Sequence, residues 1–203
     1  RKESSAASDV YKRQLLTLIR CPSGIDKDCF YQKHPDENNK YFIEKDIKEK
    51  DGEIGTYFYV NEKNGILEAV QLGTTEFHIW GSHVDKLLKP DMMVFDLDPD
   101  EGLDLENVRE GVFDLKSILD DLNLESFIKT SGNKGYHIVV PLKPKGDYDF
   151  VIDFSKNVAR VMEQKWPKKY TTNMSKDKRK DKIFIDYLRN KKSSTFVAPY
   201  SIR

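Results

Sequence analysis

The chain has 203 residues, 38% hydrophobic and 33% charged, and no apolar run approaches the roughly 20 residues that a membrane-spanning helix needs. That composition suits one well-cored domain or two small ones and argues against wholesale disorder. Lys plus Arg equals Asp plus Glu at 34 each, so net charge points to no partner.

Residues 1–14 (RKESSAASDVYKRQ) are polar, small and without period, and read as a disordered or foreign lead-in. They lack the apolar core of a signal peptide, which places the protein in the cytoplasm. Residues 15–203 read as a single domain, with a loosely patterned part at 15–90 and a clearer one at 91–203. Cys21 and Cys29, with His34 nearby, could begin a zinc site, but no fourth ligand stands at useful spacing, and two reduced thiols are expected. TYFYV at 56–60 is a strand by composition, and GILEAVQLG at 65–73 a short helix.

In the clearer part, MMVFDL at 92–97 is a β-type run. Val108, Val112, Leu115, Ile118, Leu119 and Leu122 have helical spacing, with Asp104 as the N-cap. A short strand follows at 126–129, then the tight turn SGNKG at 131–135 and a strand at 136–142. Residues 148–165 form a helix that stops before Pro167. KIFIDY at 182–187 and TFVAPY at 195–200 are further strands. From 92 to 187 the order is β-α-β-β-α-β, the ferredoxin-like arrangement that RNA-recognition folds also use, whose first strand lies between the third and the fourth.

That topology organises the chemistry. Asp96 and Asp98 are two apart on a strand and leave the same face, while Phe95 and Leu97 point into the core. Two such carboxylates repel unless a cation lies between them. Asp186 lies on the neighbouring fourth strand and completes a three-carboxylate site suited to Mg²⁺ or Mn²⁺. His137 opens the third strand, on the other side of the first. The SGNKG turn offers backbone N–H groups, the Ser131 hydroxyl and Lys134 to a triphosphate. Residues 91–125 hold 12 acidic and 2 basic side chains, and residues 164–192 hold 11 basic and 3 acidic, so one region suits cations and another polyanions.

Singly these signals are weak. A DxD pair has plain origins in a solvated strand or a capped helix, and two solvated faces account for the charge runs. Two other functions compete. A non-catalytic nucleic-acid-binding module on an RRM-like sheet would show aromatics on its first and third strands, where this chain has Asp96, Asp98 and His137. A metal-dependent phosphohydrolase using Asp96 as nucleophile would leave Asp186 and SGNKG without a role.

Together, VFDLDP (94–99), KTSGNKGYHIVVPL (129–142) and IFIDYLRN (183–190) resemble the three motifs of the archaeo-eukaryotic primase superfamily. CFYQKH (29–34), EFHIWGS (76–82), YTTNMSKDKRKDKIFIDYLRN (170–190) and VAPYSIR (197–203) resemble one branch, the polymerase domain of bacterial ligase D, a non-homologous end-joining enzyme.

The resemblance implies an α+β, primase-like fold: an RRM-like catalytic unit at 91–203 packed against a smaller N-terminal α/β part. It implies template-guided addition of nucleotides, ribonucleotides by preference, to a DNA primer 3′ end during double-strand break repair. Asp96, Asp98 and Asp186 would be catalytic and bind two Mn²⁺ or Mg²⁺ ions. Ser131, Lys134 and His137 would hold the incoming triphosphate and His78 would also contact the nucleotide. Arg189 and Arg203 would neutralise phosphate, and Phe30 or Tyr31 would stack on the base. The implied partners are DNA ends with a 3′ overhang or gap, NTP or dNTP, ligase and nuclease modules, and a Ku-type end-binding protein, in a cytoplasmic, nucleoid-associated setting. Family domains run longer at both ends, so the basic N-terminal part that recognises a DNA 5′-phosphate is expected to be missing here. Read without the resemblance, Phe30 and Trp80 fit core positions, His78 a satisfied core histidine, and Arg189 the surface.

Overall fold

A computed structural model describes residues 11–49 and 51–203. The chain divides into two compact units, one of residues 1–87 and 195–203 and one of residues 88–194. The division differs from the expected one at the C-terminal end, because the last nine residues belong to the first unit.

The first unit holds a four-stranded antiparallel sheet. Its strands are β1 (Gln14–Arg20), β2 (Phe30–Gln32), β5 (Thr74–His83) and β11 (Thr195–Val197), in the order β11-β5-β1-β2. A hairpin of β3 (Ile43–Lys48) and β4 (Ile54–Tyr59) and the helix α1 (Lys63–Gln71) complete it. Leu15, Ile47, Tyr57 and Trp80 share one core cluster, so Trp80 is a core residue as its sequence suggests. The fold starts earlier than the sequence indicates: Tyr11 is buried and donates to the Pro199 carbonyl, and buried Gln14 donates to that of Trp80. Thus part of the expected 1–14 lead-in is built into the fold, and residues 1–10 lie outside the described residues.

The cysteines also depart from expectation. Cys21 and Cys29 form a disulfide, not a pair of reduced thiols. The β1–β2 register pairs Arg20 with Phe30, so the next residue of one strand and the preceding residue of the other meet across the hairpin mouth. The sequence could not show this, because β2 is only three residues long.

The second unit is a five-stranded sheet. It contains β6 (Met92–Pro99), β7 (Phe127–Thr130), β8 (Tyr136–Pro141), β9 (Tyr170–Thr171) and β10 (Ile183–Asp186), in the order β7-β8-β6-β10-β9. Helices α2 (Leu105–Asp121) and α3 (Tyr148–Lys165) cover one face. As expected, β6 lies between β8 and β10. The two-residue β9, which pairs parallel to β10, was too short to see in the sequence.

Both helices start on aspartate caps. Asp104 and Asn107 form a reciprocal capping box, and Asp147 accepts from the Phe150 N–H. Val108, Val112, Leu115, Ile118 and Leu119 of α2 are buried against Phe95, Leu97, Ile138, Ile183 and Ile185. Leu122, the C-cap, is exposed. Among the described residues no helix is long and apolar enough to cross a membrane.

Candidate active site

Cross-strand partners share a sheet face. The registers pair Lys129 with His137, His137 with Asp96, and Asp96 with Asp186. These four residues therefore form one row across β7, β8, β6 and β10, on the face that the helices leave bare. Asp98 lies two residues along β6 on the same face, opposite Phe184. The expected convergence of Asp96, Asp98, Asp186 and His137 is present, and Lys129, which sequence reasoning passed over, extends it. The signal for Lys129 was in the strand period: it is eight residues before His137 with a tight turn between them.

Two arginines neutralise this face. Arg189 Nε lies 3.1 Å from Asp186 Oδ2, and its Nη2 lies 3.7 Å from Asp96 Oδ2. Arg179 Nη1 is 3.2 Å from Asp98 Oδ2, and its guanidinium stacks 3.8 Å from the centroid of the Phe184 ring. Arg189 is thus no idle surface residue. Nothing in the sequence distinguishes Arg179 from its basic neighbours Lys176, Lys178, Lys180 and Lys182.

Burial raises the Asp98 carboxyl, and the Asp96 charge adds to this, against Arg179 and Arg189. Burial likewise raises Asp186 despite Arg189. Burial also pushes Asp96 up, but the hydrogen bond and charge of His137, then Arg189 and Lys129, outweigh it and hold Asp96 below the ordinary carboxylate value. His137 Nε2 lies 3.5 Å from Asp96 Oδ2, and burial holds the imidazole below its usual value. Near neutral pH the contact therefore joins a carboxylate to a neutral ring, not two full charges.

As these side chains stand, no three His, Cys, Asp or Glu residues among the described residues close into a metal cage. Each carboxylate leans on nitrogen donors: Asp98 on Arg179, Asp186 on the Leu188 N–H and Arg189, and Asp96 on His137 and Arg189. The donor set still fits a hard divalent cation: three carboxylates on adjacent strands, two of them raised in pKa by burial and by mutual charge.

The 131–135 turn is braced from within. The buried Ser131 hydroxyl donates to the Gly135 carbonyl at 2.9 Å and accepts from the N–H groups of Asn133 and Gly135. Ser131 shapes the turn, while Lys134 at its tip is exposed. Gly132 has φ +77°, a left-handed conformation that glycine adopts without steric cost. Gly135 comes so close to β6 that a Cβ there would lie 2.2 Å from the Leu97 carbonyl oxygen.

The remaining candidates lie in the first unit. Phe30 and Tyr31 are 46% and 69% exposed, so Phe30 is not a core residue, and the Arg20 guanidinium lies 5.2 Å from the centroid of its ring. His78 Nε2 is 2.9 Å from Glu76 Oε2, and Arg203 Nε is 3.4 Å from the same oxygen. The β5–β11 pairing places Val197 opposite His78, and the Phe77 N–H donates to the Ser201 hydroxyl, holding the C-terminal segment to β5. Glu76, not anticipated, thus links His78 to Arg203.

The chain matches the model of the LigD primase-polymerase domain family over residues 4–203. It is 34% identical over 188 residues to the multifunctional non-homologous end joining protein LigD of Pseudomonas aeruginosa, a match covering 93% of this chain and 22% of that protein. It is 28% identical over 193 residues to the bifunctional non-homologous end joining protein LigD of Bacillus subtilis, with coverages of 95% and 31%. The chain therefore spans less than a third of the length of these relatives. The polymerase domain from Mycobacterium tuberculosis Ligase D, solved in complex with DNA, matches it with a TM-score of 0.90 and 27% identity, over 97% of this chain and 71% of that one.

Proposed function

Because this chain belongs to the LigD primase-polymerase domain family, we propose that it is a nucleotidyltransferase adding nucleotides to the 3′ end of a DNA primer in end-joining repair. The observation that carries this reading is the row Lys129–His137–Asp96–Asp186 with Asp98 beside it. It combines an acidic centre with flanking cations on the sheet face opposite the helices, an arrangement suited to in-line phosphoryl transfer.

Asp96, Asp98 and Asp186 would hold two divalent cations, Mn²⁺ or Mg²⁺. Bound there, such ions supply activation of the primer 3′-hydroxyl and neutralisation of the departing pyrophosphate. The protein's own part is positioning. The exposed Lys134 at the tip of the 131–135 turn reaches a triphosphate, and Ser131 keeps that turn in shape by holding the N–H groups of Asn133 and Gly135. His137, neutral and buried, donates a hydrogen bond without adding charge. Arg189 neutralises phosphate oxygens beside Asp186. In the first unit, the exposed rings of Phe30 and Tyr31 offer faces for base stacking, and His78 and Arg203 offer donors for phosphate. The exposed Lys176 and Lys178 and their basic neighbours suit a nucleic-acid backbone, so DNA affinity falls steeply with salt. The β6 and β8 face carries Asp96, Asp98 and His137 where a non-catalytic RNA-recognition sheet would carry stacking aromatics, which argues against that alternative.

The test is primer extension on a duplex with a 5′ overhang, with Mn²⁺ and labelled ATP or dATP, comparing wild type with Asp98→Ala. Extension by wild type alone supports the reading. Phosphate release from the nucleotide without primer, or binding of DNA with no extension under any metal, refutes it.

A further inference from the structure

Strand β10 ends before its partner β6 does. Its register with β6 runs from Ile183 opposite Pro99 to Asp186 opposite Asp96. Two residues further the ladder would place residue 188 opposite Val94. Instead the chain turns away into a 3-10 turn at Leu188–Asn190. That departure would strand the N–H and C=O of Val94, which is fully buried in the central strand; such groups are costly when unpaired.

The Asn190 side chain closes the gap. The Val94 N–H donates to Asn190 Oδ1 at 2.8 Å, and Asn190 Nδ2 donates to the Val94 carbonyl at 2.8 Å. The orientation of the amide is fixed, because a backbone N–H can only donate and a carbonyl can only accept. One planar carboxamide therefore reproduces the two-bond exchange of an antiparallel residue pair. Asn190 Nδ2 also donates to the Tyr187 carbonyl at 3.0 Å, binding the turn to itself. Of the side chains, a carboxamide presents a donor and an acceptor in one plane; aspartate lacks the donor, and serine offers a single hydroxyl.

The turn so anchored carries the chemistry. Arg189, the preceding residue, reaches Asp186 and Asp96, and Asp186 accepts from the Leu188 N–H at 2.8 Å. We infer that Asn190 is a positioning residue: it substitutes for a missing strand residue beside β6 and thereby fixes Arg189 over the Asp96–Asp186 pair. This rests on the reading of that face as the nucleotidyl-transfer site.

Two measurements on Asn190→Ala test it. The first is the side-chain Nε–H signal of Arg189 in a ¹H–¹⁵N spectrum of the full chain. It is expected to be slow to exchange in wild type and lost in Asn190→Ala. The Arg20 Nε–H signal, from a bond to the Leu72 carbonyl in the other unit, should persist, which separates release of Arg189 from unfolding. The second is kcat/KM for primer extension in a double-mutant cycle with Arg189→Ala. Displacement of a positioned group by about 1 Å costs about 100-fold, and that factor is expected in the wild-type background and to vanish in Arg189→Ala. An unchanged Arg189 signal, or losses that multiply in the double variant, overturns the inference. If wild type extends no primer while Asn190→Ala still releases Arg189, the polymerase reading fails and the positioning of Arg189 by Asn190 stands.

Discussion

Replacing Gly135 by alanine tests the close approach between the 131–135 turn and the central strand. An ideal Cβ at Gly135 lies 2.2 Å from the Leu97 carbonyl oxygen, whereas real Cβ atoms essentially never come within 3.0 Å of such a neighbour. The gap must open by at least about 0.8 Å, a distance at which van der Waals repulsion is steep. Leu97 cannot yield readily, because β6 is hydrogen-bonded to β8 on one side and β10 on the other. The turn must move instead, taking Lys134 with it and straining the entry to His137. Overpacking of this kind costs about 3 kcal/mol, the upper part of the usual range. For a chain of this size that lowers Tm by about 6–12 °C. A shift near 1 Å in a group that positions substrate costs about 100-fold in kcat/KM. The assay is thermal denaturation followed by primer extension on the folded variant, with Gly102→Ala as control, where the nearest atom to a new Cβ is Asp181 Oδ1 at 3.7 Å. A Gly135→Ala protein with wild-type Tm refutes the clash. One with lowered Tm and wild-type kcat/KM refutes the role of the turn in substrate positioning.

Three further outcomes are expected. The Cys21–Cys29 bond spans a sequence separation of 8, for which loop entropy gives about 2.5 kcal/mol; dithiothreitol should lower the wild-type Tm by about 5–10 °C and leave Cys21→Ser unchanged. A divalent ion at 100 times its Kd should stabilise the wild type by about 2.7 kcal/mol, seen as a Tm rise in Mn²⁺ titrations; Asp98→Asn should lose most of that rise, and an equal rise in the variant would remove Asp98 from the metal site. His137 has a lowered folded pKa, so its contribution is present above the unfolded value of about 6.5 and is lost as pH falls through the folded one. In EDTA, the urea-determined stability of wild type relative to His137→Gln should therefore shrink as pH drops below about 6.5; a constant difference would contradict the burial argument.

The second unit was largely legible in the sequence because its signals are local. Helical spacing at Val108, Val112, Leu115, Ile118 and Leu119, with Asp104 before it, defines a helix whatever it packs on. Asp96 and Asp98 share a face by strand period alone, and the β-α-β-β-α-β order then brings Asp186 alongside. What was hidden depended on pairing between distant or very short segments. Cys21 meets Cys29 only through the register of a three-residue strand. The C-terminal β11 belongs to the other unit, where it pairs with β5. Ser131, expected to face a ligand, spends its hydroxyl inside its own turn, and Arg179 was one basic residue among many until Phe184 gave it a surface to lie on.

The transverse row has a consequence for how the molecule becomes competent. Its four side chains come from residues 96, 129, 137 and 186, so no short fragment of the chain contains it. Residues 96 and 186 meet only when a loop of 90 residues closes, a step that costs about 4 kcal/mol in chain entropy. A molecule in which β10 has peeled away would keep β6, β7 and β8 paired, with two carboxylates and a histidine but without Asp186 or Arg189. On the proposed reading, such a half-assembled sheet would lack a carboxylate and an arginine of the site, so partly folded copies would be silent in primer extension. An ion shared between β6 and β10 would act as a staple across the last strand to dock, slowing its departure, and substrate turnover would then report on completion of the sheet.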